Sequence, residues 1–187
     1  MLYSHLPVSS HAQVVLRPLQ PADAQPWFRY LSLPEVYEHT SWNVQAADEL
    51  LPMIAAHEPA TAASPVRFAI ALLGTGELVG TAGFHTVSPL NRTAEIAYDL
   101  APPCWGQGIA TAVCASLVAW AFAQAGLVRV QATVLQSNAR SARVLRRCGF
   151  EREGLLRHYR MVRGTPGDFW MYSVLRPPAP QPVSMAA

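Results

Sequence analysis

Seven consecutive residues, Trp105-Gly-Gln-Gly-Ile-Ala-Thr111, could do chemistry of a definite kind. Gly106 and Gly108 let a backbone turn sharply and leave its N–H groups open, and the apolar run that follows reads as a helix. A helix N-terminus carries unpaired N–H donors and a partial positive charge, so it suits a phosphate or pyrophosphate. An anionic, nucleotide-like cofactor is therefore expected there. Rival glycine motifs fit poorly. The chain has no GxxxxGK[ST] for a P-loop, and Gly106-x-Gly108-x-x-Thr111 lacks the third glycine of a dinucleotide fingerprint. Polar groups also sit on the segment just before, Thr93-Ala-Glu-Ile-Ala-Tyr-Asp-Leu100. Strand alternation places Glu95, Ala97 and Asp99 on one face and Ile96, Tyr98 and Leu100 on the other.

Strands and helices must position these groups. Strands are expected at Val14–Leu19, Val66–Leu73, Glu77–Phe84, Thr93–Leu100, Arg129–Leu135, Phe150–Arg163 and Phe169–Leu175. Helices are expected at Ala22–Leu33, Gln45–His57, from Ile109 to about Ala125, and at Ala139–Arg147, the last ended by Gly149. Gly74-Thr-Gly76 and Gly164-Thr-Pro-Gly167 read as turns. Strands alternate with helices in the middle and pair as hairpins at both ends. The expected fold class is thus α/β, or α+β, with a mixed sheet rather than a purely parallel one. Residues 1–13 read as an N-terminal extension and 14–175 as one domain. The stretch 176–187, with four prolines, reads as a disordered tail.

Composition narrows the function. Hydrophobic residues make up 51% of the 187 and charged residues only 14%, against about 25% in ordinary soluble proteins. Such a chain can fill a large core and leave apolar surface for a homodimer. The net charge is +2, all fourteen basic residues are arginine, and no basic cluster marks a nucleic-acid groove. Cys104, Cys114 and Cys148 form no CxxC pair, and the six histidines show no metal-ligand spacing. The run Ile109–Ala125 is short for a membrane span and is interrupted by Thr111, Ser116 and Gln124. A cytoplasmic protein with no nucleic-acid, membrane or metal partner is expected.

Trp105-Gly-Gln-Gly-Ile-Ala110 resembles the acetyl-CoA pyrophosphate loop of GNAT-type N-acetyltransferases, Arg/Gln-x-x-Gly-x-Gly/Ala. Gly108 and Ala110 take the last two fixed positions, and Trp105 stands where Arg or Gln is usual. Asn138-Ala-Arg-Ser-Ala-Arg-Val-Leu-Arg-Arg-Cys-Gly-Phe150 is similar to that superfamily's Asn-x-x-Ser/Ala…Gly-Phe helix. Glu153-Gly-Leu-Leu156 and Gly167–Leu175 resemble the RimJ/RimL-like branch, which includes ribosomal-protein alanine N-acetyltransferases. Either glycine motif alone is weak, but both occur here in order and in strand–loop–helix context. The resemblance implies a GNAT-like fold: a mostly antiparallel twisted sheet of about seven strands, splayed at a bulge and flanked by about four helices.

It also implies roles. Acetyl-CoA is the donor, and the N–H groups of Gly106, Gln107, Gly108, Ile109 and Ala110 hold its pyrophosphate. Thr111 adds a hydroxyl to phosphate or packs in the helix. A backbone N–H near Tyr98 to Leu100 polarises the thioester carbonyl. Glu95 takes the acceptor's proton, directly or through water, or is a solvated strand carboxylate; the base role needs a raised pKa. Asp99 is a weaker candidate. Asn138 caps its helix and grips the pantetheine arm. Leu145 occupies the position of a tyrosine that many relatives place near the thiolate, which leaves Ser141 as the family-supported acid. Arg143 and Arg146 reach CoA phosphates or form a solvated face. His39, Trp42, His85, His158 and Tyr159 fall in segments that line the acceptor cleft in resembling proteins. The implied reaction is direct attack of an amine on acetyl-CoA in a ternary complex. The acceptor is a protein N-terminus or a small amine such as an antibiotic, polyamine or amino acid. A catalytically silent acyl-CoA-binding module is the alternative of a different class.

Overall fold

The computed structural model describes residues 5–42, 44–56 and 61–178. Seven strands form one sheet: β1 (Val14–Pro18), β2 (Val66–Leu72), β3 (Leu78–Ser88), β4 (Thr93–Leu100), β5 (Arg129–Leu135), β6 (Glu151–Val162) and β7 (Thr165–Leu175). Their order is β1-β2-β3-β4-β5-β7-β6. Every neighbouring pair is antiparallel except β4 with β5. That parallel step is forced by the crossover helix between them. The helices are α1 (Ala24–Leu31), α2 (Pro34–Tyr37), α3 (Leu51–Ala56), α4 (Ile109–Ala123) and α5 (Ala139–Arg147).

Residue pattern explains the layering. Helix α4 is apolar on all sides, with Val113, Cys114, Leu117 and Ala121 fully buried against one face of the sheet. Helix α5 keeps only Leu145 fully inside and turns its arginines outward. Both helices, with Phe68, Ile70, Phe84 and Ile96, make the larger core. The opposite face is covered by α1, α2 and α3 through Trp27, Tyr30, Val36, Leu50 and Ile54.

The pairing of β4 with β5 covers only Thr93 to Glu95. Opposite this point, β3 carries a bulge between Phe84 and Thr86. Beyond Glu95 the two strands part, and a gap opens alongside Ile96 to Leu100. Backbone alternation decides which groups face it. The Ala101 N–H donates to Val79 O in β3 at 2.8 Å, so the N–H and C=O groups of Tyr98 and Leu100 turn toward the gap.

Several expected elements differ. Among the described residues five α-helices form, where about four were expected. The stretch 34–37 folds as α2 because Pro34 has the fixed φ of a first helical position. The expected helix Gln45–His57 is a 3-10 turn at Ala47–Leu50 followed by α3, which restarts just ahead of Pro52; His57 lies outside the described residues. Helix α1 is preceded by a 3-10 turn at Pro21–Asp23. Strand β3 runs on to Ser88. The turn expected at Gly164–Gly167 is tighter, with Arg163 and Gly164 both at positive φ (49° and 77°) as a two-residue hairpin loop requires. Residues 176–178 continue without helix or strand. The rest of the expected tail is outside the described residues, among which no helix is long and apolar enough to cross a membrane.

Candidate active site

Two cavities meet at the gap beside β4. The first, of about 400 Å³, lies against the start of α4 and one face of α5. Gly108 is the N-cap of α4 at φ 84°, and Gly106 sits at φ 77°. A Cβ on either would meet no atom within 4 Å, so both glycines border open space. The loop is tied down from three sides. Trp105 Nε1–H donates to Leu100 O at 2.7 Å, the Gln107 side-chain amide donates to Pro103 O at 2.8 Å, and the His11 ring nitrogen lies 3.1 Å from Gln107 O.

The structure brings Tyr98, Leu100, Trp105, Gly106, Gly108, Ile109, Ala110, Thr111, Asn138, Ser141 and Arg143 into the walls of this one cavity. Gln107 does not line it, since its amide is turned back onto Pro103. Arg146 does not line it either, whereas Arg140 and Arg147 do. Helical period is the reason: 140, 143, 144 and 147 share one face of α5. The Arg140 guanidinium lies 4.4 Å over the Trp105 ring, so a cation from α5 stands beside the loop position where the resembling motif carries Arg or Gln. These residues fit an anionic CoA: open backbone at a helix start with arginines around it.

Where the first cavity reaches the sheet, two hydroxyls meet. Tyr98 OH lies 3.0 Å from Ser141 Oγ and donates to Ser141 O at 3.2 Å. The Ser141 N–H in turn donates to Asn138 Oδ1 at 3.0 Å, the helix cap the sequence predicts. Burial pushes the Tyr98 phenol well above its ordinary pKa, so it stays protonated and can donate. Leu145 is fully buried in the core and offers the site no polar atom.

The second cavity, of about 340 Å³, lies across the gap and shares His39, Thr40, Tyr98, Asp99, Asn138 and Ser141 with the first. Asp99 lines it and Glu95 lines neither cavity, and both carboxylates are already engaged. Glu95 Oε1 accepts from the Thr133 hydroxyl at 2.6 Å and from Arg160 Nη2 at 3.1 Å, with His85 Nε2 at 3.3 Å. Burial raises the Glu95 pKa, but hydrogen bonds from His85 and Thr133 and the charges of His85 and Arg160 outweigh it, leaving about 2. That value runs against the raised pKa a base at this position requires. Asp99 accepts from Arg67, Tyr30 and the Thr81 hydroxyl. Arg67 is itself held between the rings of Trp27 and Trp42, 5.3 Å and 5.1 Å from their centroids.

Of the residues expected at the acceptor end, His39, Trp42 and His85 line this cavity. His158 and Tyr159 do not. Strand β6 bulges between Leu156 and Arg160, His158 is left-handed at φ 51°, and its N–H donates to Asp168 Oδ1 at 2.8 Å. Arg160 pairs opposite Gly167, on the face that also carries Phe169, so it faces the cavity, whereas Tyr159 lies within the bulge. Arg67, Arg160 and the Tyr98 phenol were missed from sequence. Helical spacing on α5 could have found Arg140 and Arg147, but no local signal marks the bulge that aims Arg160.

Residues 13–151 match the acetyltransferase (GNAT) domain family. The chain is 33% identical over 173 residues to the uncharacterized N-acetyltransferase YoaA of Bacillus subtilis, covering 91% of this chain and 98% of the relative. It is 35% identical over 98 residues to the ribosomal-protein-serine acetyltransferase of Escherichia coli, 52% of this chain and 54% of that one. Among solved structures it superposes on Mycobacterium smegmatis RimJ in complex with CoA-disulfide with a TM-score of 0.79 and 29% identity, covering 90% of this chain and 84% of that one.

Proposed function

Because the chain belongs to the GNAT family of acetyltransferases and is an N-acetyltransferase using acetyl-CoA, we propose that it acetylates the α-amine of a protein N-terminus by direct attack in a ternary complex. The observation that carries this reading is the meeting of two cavities at Tyr98 and Ser141, one suited to CoA and the other to an acceptor. The pyrophosphate lies on the loop before α4, with Arg140, Arg143 and Arg147 at its phosphates. The pantetheine arm runs along the gap, past Asn138. The thioester carbonyl accepts from the N–H of Tyr98 or Leu100, which stabilises the oxyanion. The departing sulfur takes its proton from Ser141, whose hydroxyl is backed by the neutral Tyr98 phenol.

Charge in the second cavity supports a monoamine over a polyamine. Asp99, which lines it, is matched by Arg67, and Glu95 behind the wall is matched by Arg160, so neither carboxylate is free for a second ammonium. Glu95, ionised and hydrogen-bonded, holds Arg160 at the cavity wall rather than deprotonating the acceptor. The relative named a ribosomal-protein-serine acetyltransferase favours a protein acceptor. The test is thiol release from acetyl-CoA with alanine- and serine-terminated peptides, against single-amine small molecules and spermidine. The peptides are expected to be fastest. Thiol release from none of them, with CoA still raising the melting temperature, overturns the proposal for a silent CoA-binding module. Ser141→Ala should lower kcat by ~10²-fold, in the range of a lost general acid, and leave the KM for acetyl-CoA nearly unchanged.

A further inference from the structure

We infer that the acceptor carries a carboxylate on a side chain near its N-terminus and that Arg160 receives it; the inference rests on the acetyl-transfer reading above. Among the described residues, the arginine and acidic side chains that line the second cavity are Arg67, Asp99 and Arg160. Two of these are spent on each other. The Arg67 side chain is only 4% exposed, donates from Nε to the Thr81 hydroxyl at 2.7 Å and from Nη2 to Asp99, and lies against two tryptophan rings. Arg160 is different. Its side chain is 32% exposed, and among the described residues it makes one hydrogen bond, from Nη2 to Glu95 Oε1 at 3.1 Å. A guanidinium has five N–H donors, so most of this one is left for a ligand.

Its counter-ion stands behind it. Glu95 is nearly buried and lines neither cavity, so the cavity meets the cation and not its partner. The head group is also fixed before any ligand arrives, 4.9 Å over the Tyr159 ring and 5.8 Å over the Phe169 ring. A guanidinium held in this way loses little freedom on binding, and its planar fork matches a carboxylate through charge-assisted hydrogen bonds. A lysine or arginine side chain on the acceptor would meet like charge there.

Spacing along the sheet says where on the acceptor the carboxylate sits. Arg160 is tied to Glu95, whereas in the proposed binding mode the thioester carbonyl lies at Tyr98 or Leu100. Tyr98 is three residues further along β4, roughly 10 Å at ~3.4 Å per strand residue. The α-amine must reach the second point while the carboxylate reaches the first. A free α-amino acid has a single carbon between the two groups and does not span that distance. An extended peptide advances ~3.4 Å per residue, and a side chain adds to its reach, so an aspartate or glutamate at the second or third residue does span it. Ile96, Val134, Leu135 and Phe169 line the same cavity and suit the uncharged part of such a chain.

The probes are short, C-terminally amidated peptides that begin with alanine and carry glutamate, glutamine or lysine at the second or third residue. Calorimetry on the full chain saturated with CoA reads their binding without turnover, and kcat/KM with acetyl-CoA reads it in the reaction. The glutamate peptide is expected to bind about tenfold more tightly than its glutamine twin, with lysine weakest, and free alanine should bind no better than alaninamide. Arg160→Gln should abolish the glutamate-over-glutamine ratio. Glu95→Gln, which removes the counter-ion and keeps the arginine, should raise it. Because Arg160→Gln leaves Glu95 buried without its cation, the double variant with Glu95→Gln is the companion; it should melt near the wild type and show no ratio. A wild-type ratio under twofold, a ratio that survives the loss of Arg160, or no binding by any peptide overturns the inference. Turnover of the glutamine peptide tests acetyl transfer by itself, so the two failures are separable.

Discussion

The two cavities are built by different means. The donor side is mostly backbone: a loop with two glycines at positive φ, a helix start, and strand amides beside a gap. Its side chains, Trp105, Asn138 and the α5 arginines, arrive at fixed local spacings. The acceptor side is mostly side chain, and its partners come from far apart in sequence. Asp99 is held by Tyr30, Arg67 and Thr81, and Glu95 by His85, Thr133 and Arg160. A backbone site of this kind suits an unvarying ligand such as CoA. A site of paired side chains can be retuned for a new acceptor one pair at a time.

Breaking each side should therefore fail differently. The largest effect is expected from Arg67→Met. It leaves Asp99 buried with its charge uncompensated, at a cost of ~3–5 kcal/mol. Thermal melting should fall by roughly 10 °C, and recovery in the double variant with Asp99→Asn would confirm the pair as the cause. Next is Gly108→Val, which forces a β-branched residue to φ 84° and puts a side chain into the open space before α4. Calorimetry should show CoA binding weakened by about 10²-fold, with little change in acceptor KM.

Acid stability gives a smaller effect that separates the two sides further. The folded Glu95 pKa of about 2 lies below the ordinary 4.5, so its stabilising contribution is full above pH 4.5 and is lost as pH falls toward 2. Unfolding curves at stepped pH should show this loss in the wild type and a flatter slope in Glu95→Gln. An identical slope in the two would mean the carboxylate is not held as described. The smallest effect is expected from Trp105→Phe, which removes the bond to Leu100 O. One hydrogen bond of ~1 kcal/mol predicts about fivefold weaker CoA binding.

Legibility in the sequence divides along the same line. All seven strands, α4, α5 and the Asn138 cap follow from periodicity and turn residues, because those signals are local. The motif pair around Gly108 and Asn138 is local too, and both residues line the first cavity. The Gln107 side chain folds back onto Pro103, and Arg146 stands on the other face of α5, the solvated alternative expected for it. The pairing of Arg67 with Asp99 spans 32 positions and leaves no mark in either neighbourhood. The β6 bulge is equally silent. It adds two residues between Leu156 and Arg160, with Asp168 holding the His158 N–H, and so sets Arg160 rather than His158 opposite Gly167.

The bond from the Trp105 indole to Leu100 O fastens the glycine loop before α4 to the end of β4. In the proposed binding mode one staple carries both ends of the donor, and the span between them is a fixed ruler. A thioester lacking the pyrophosphate, or carrying a shorter arm, would reach only one end of that ruler. The enzyme should then discriminate among acyl donors by the length of their arm before any chemistry begins.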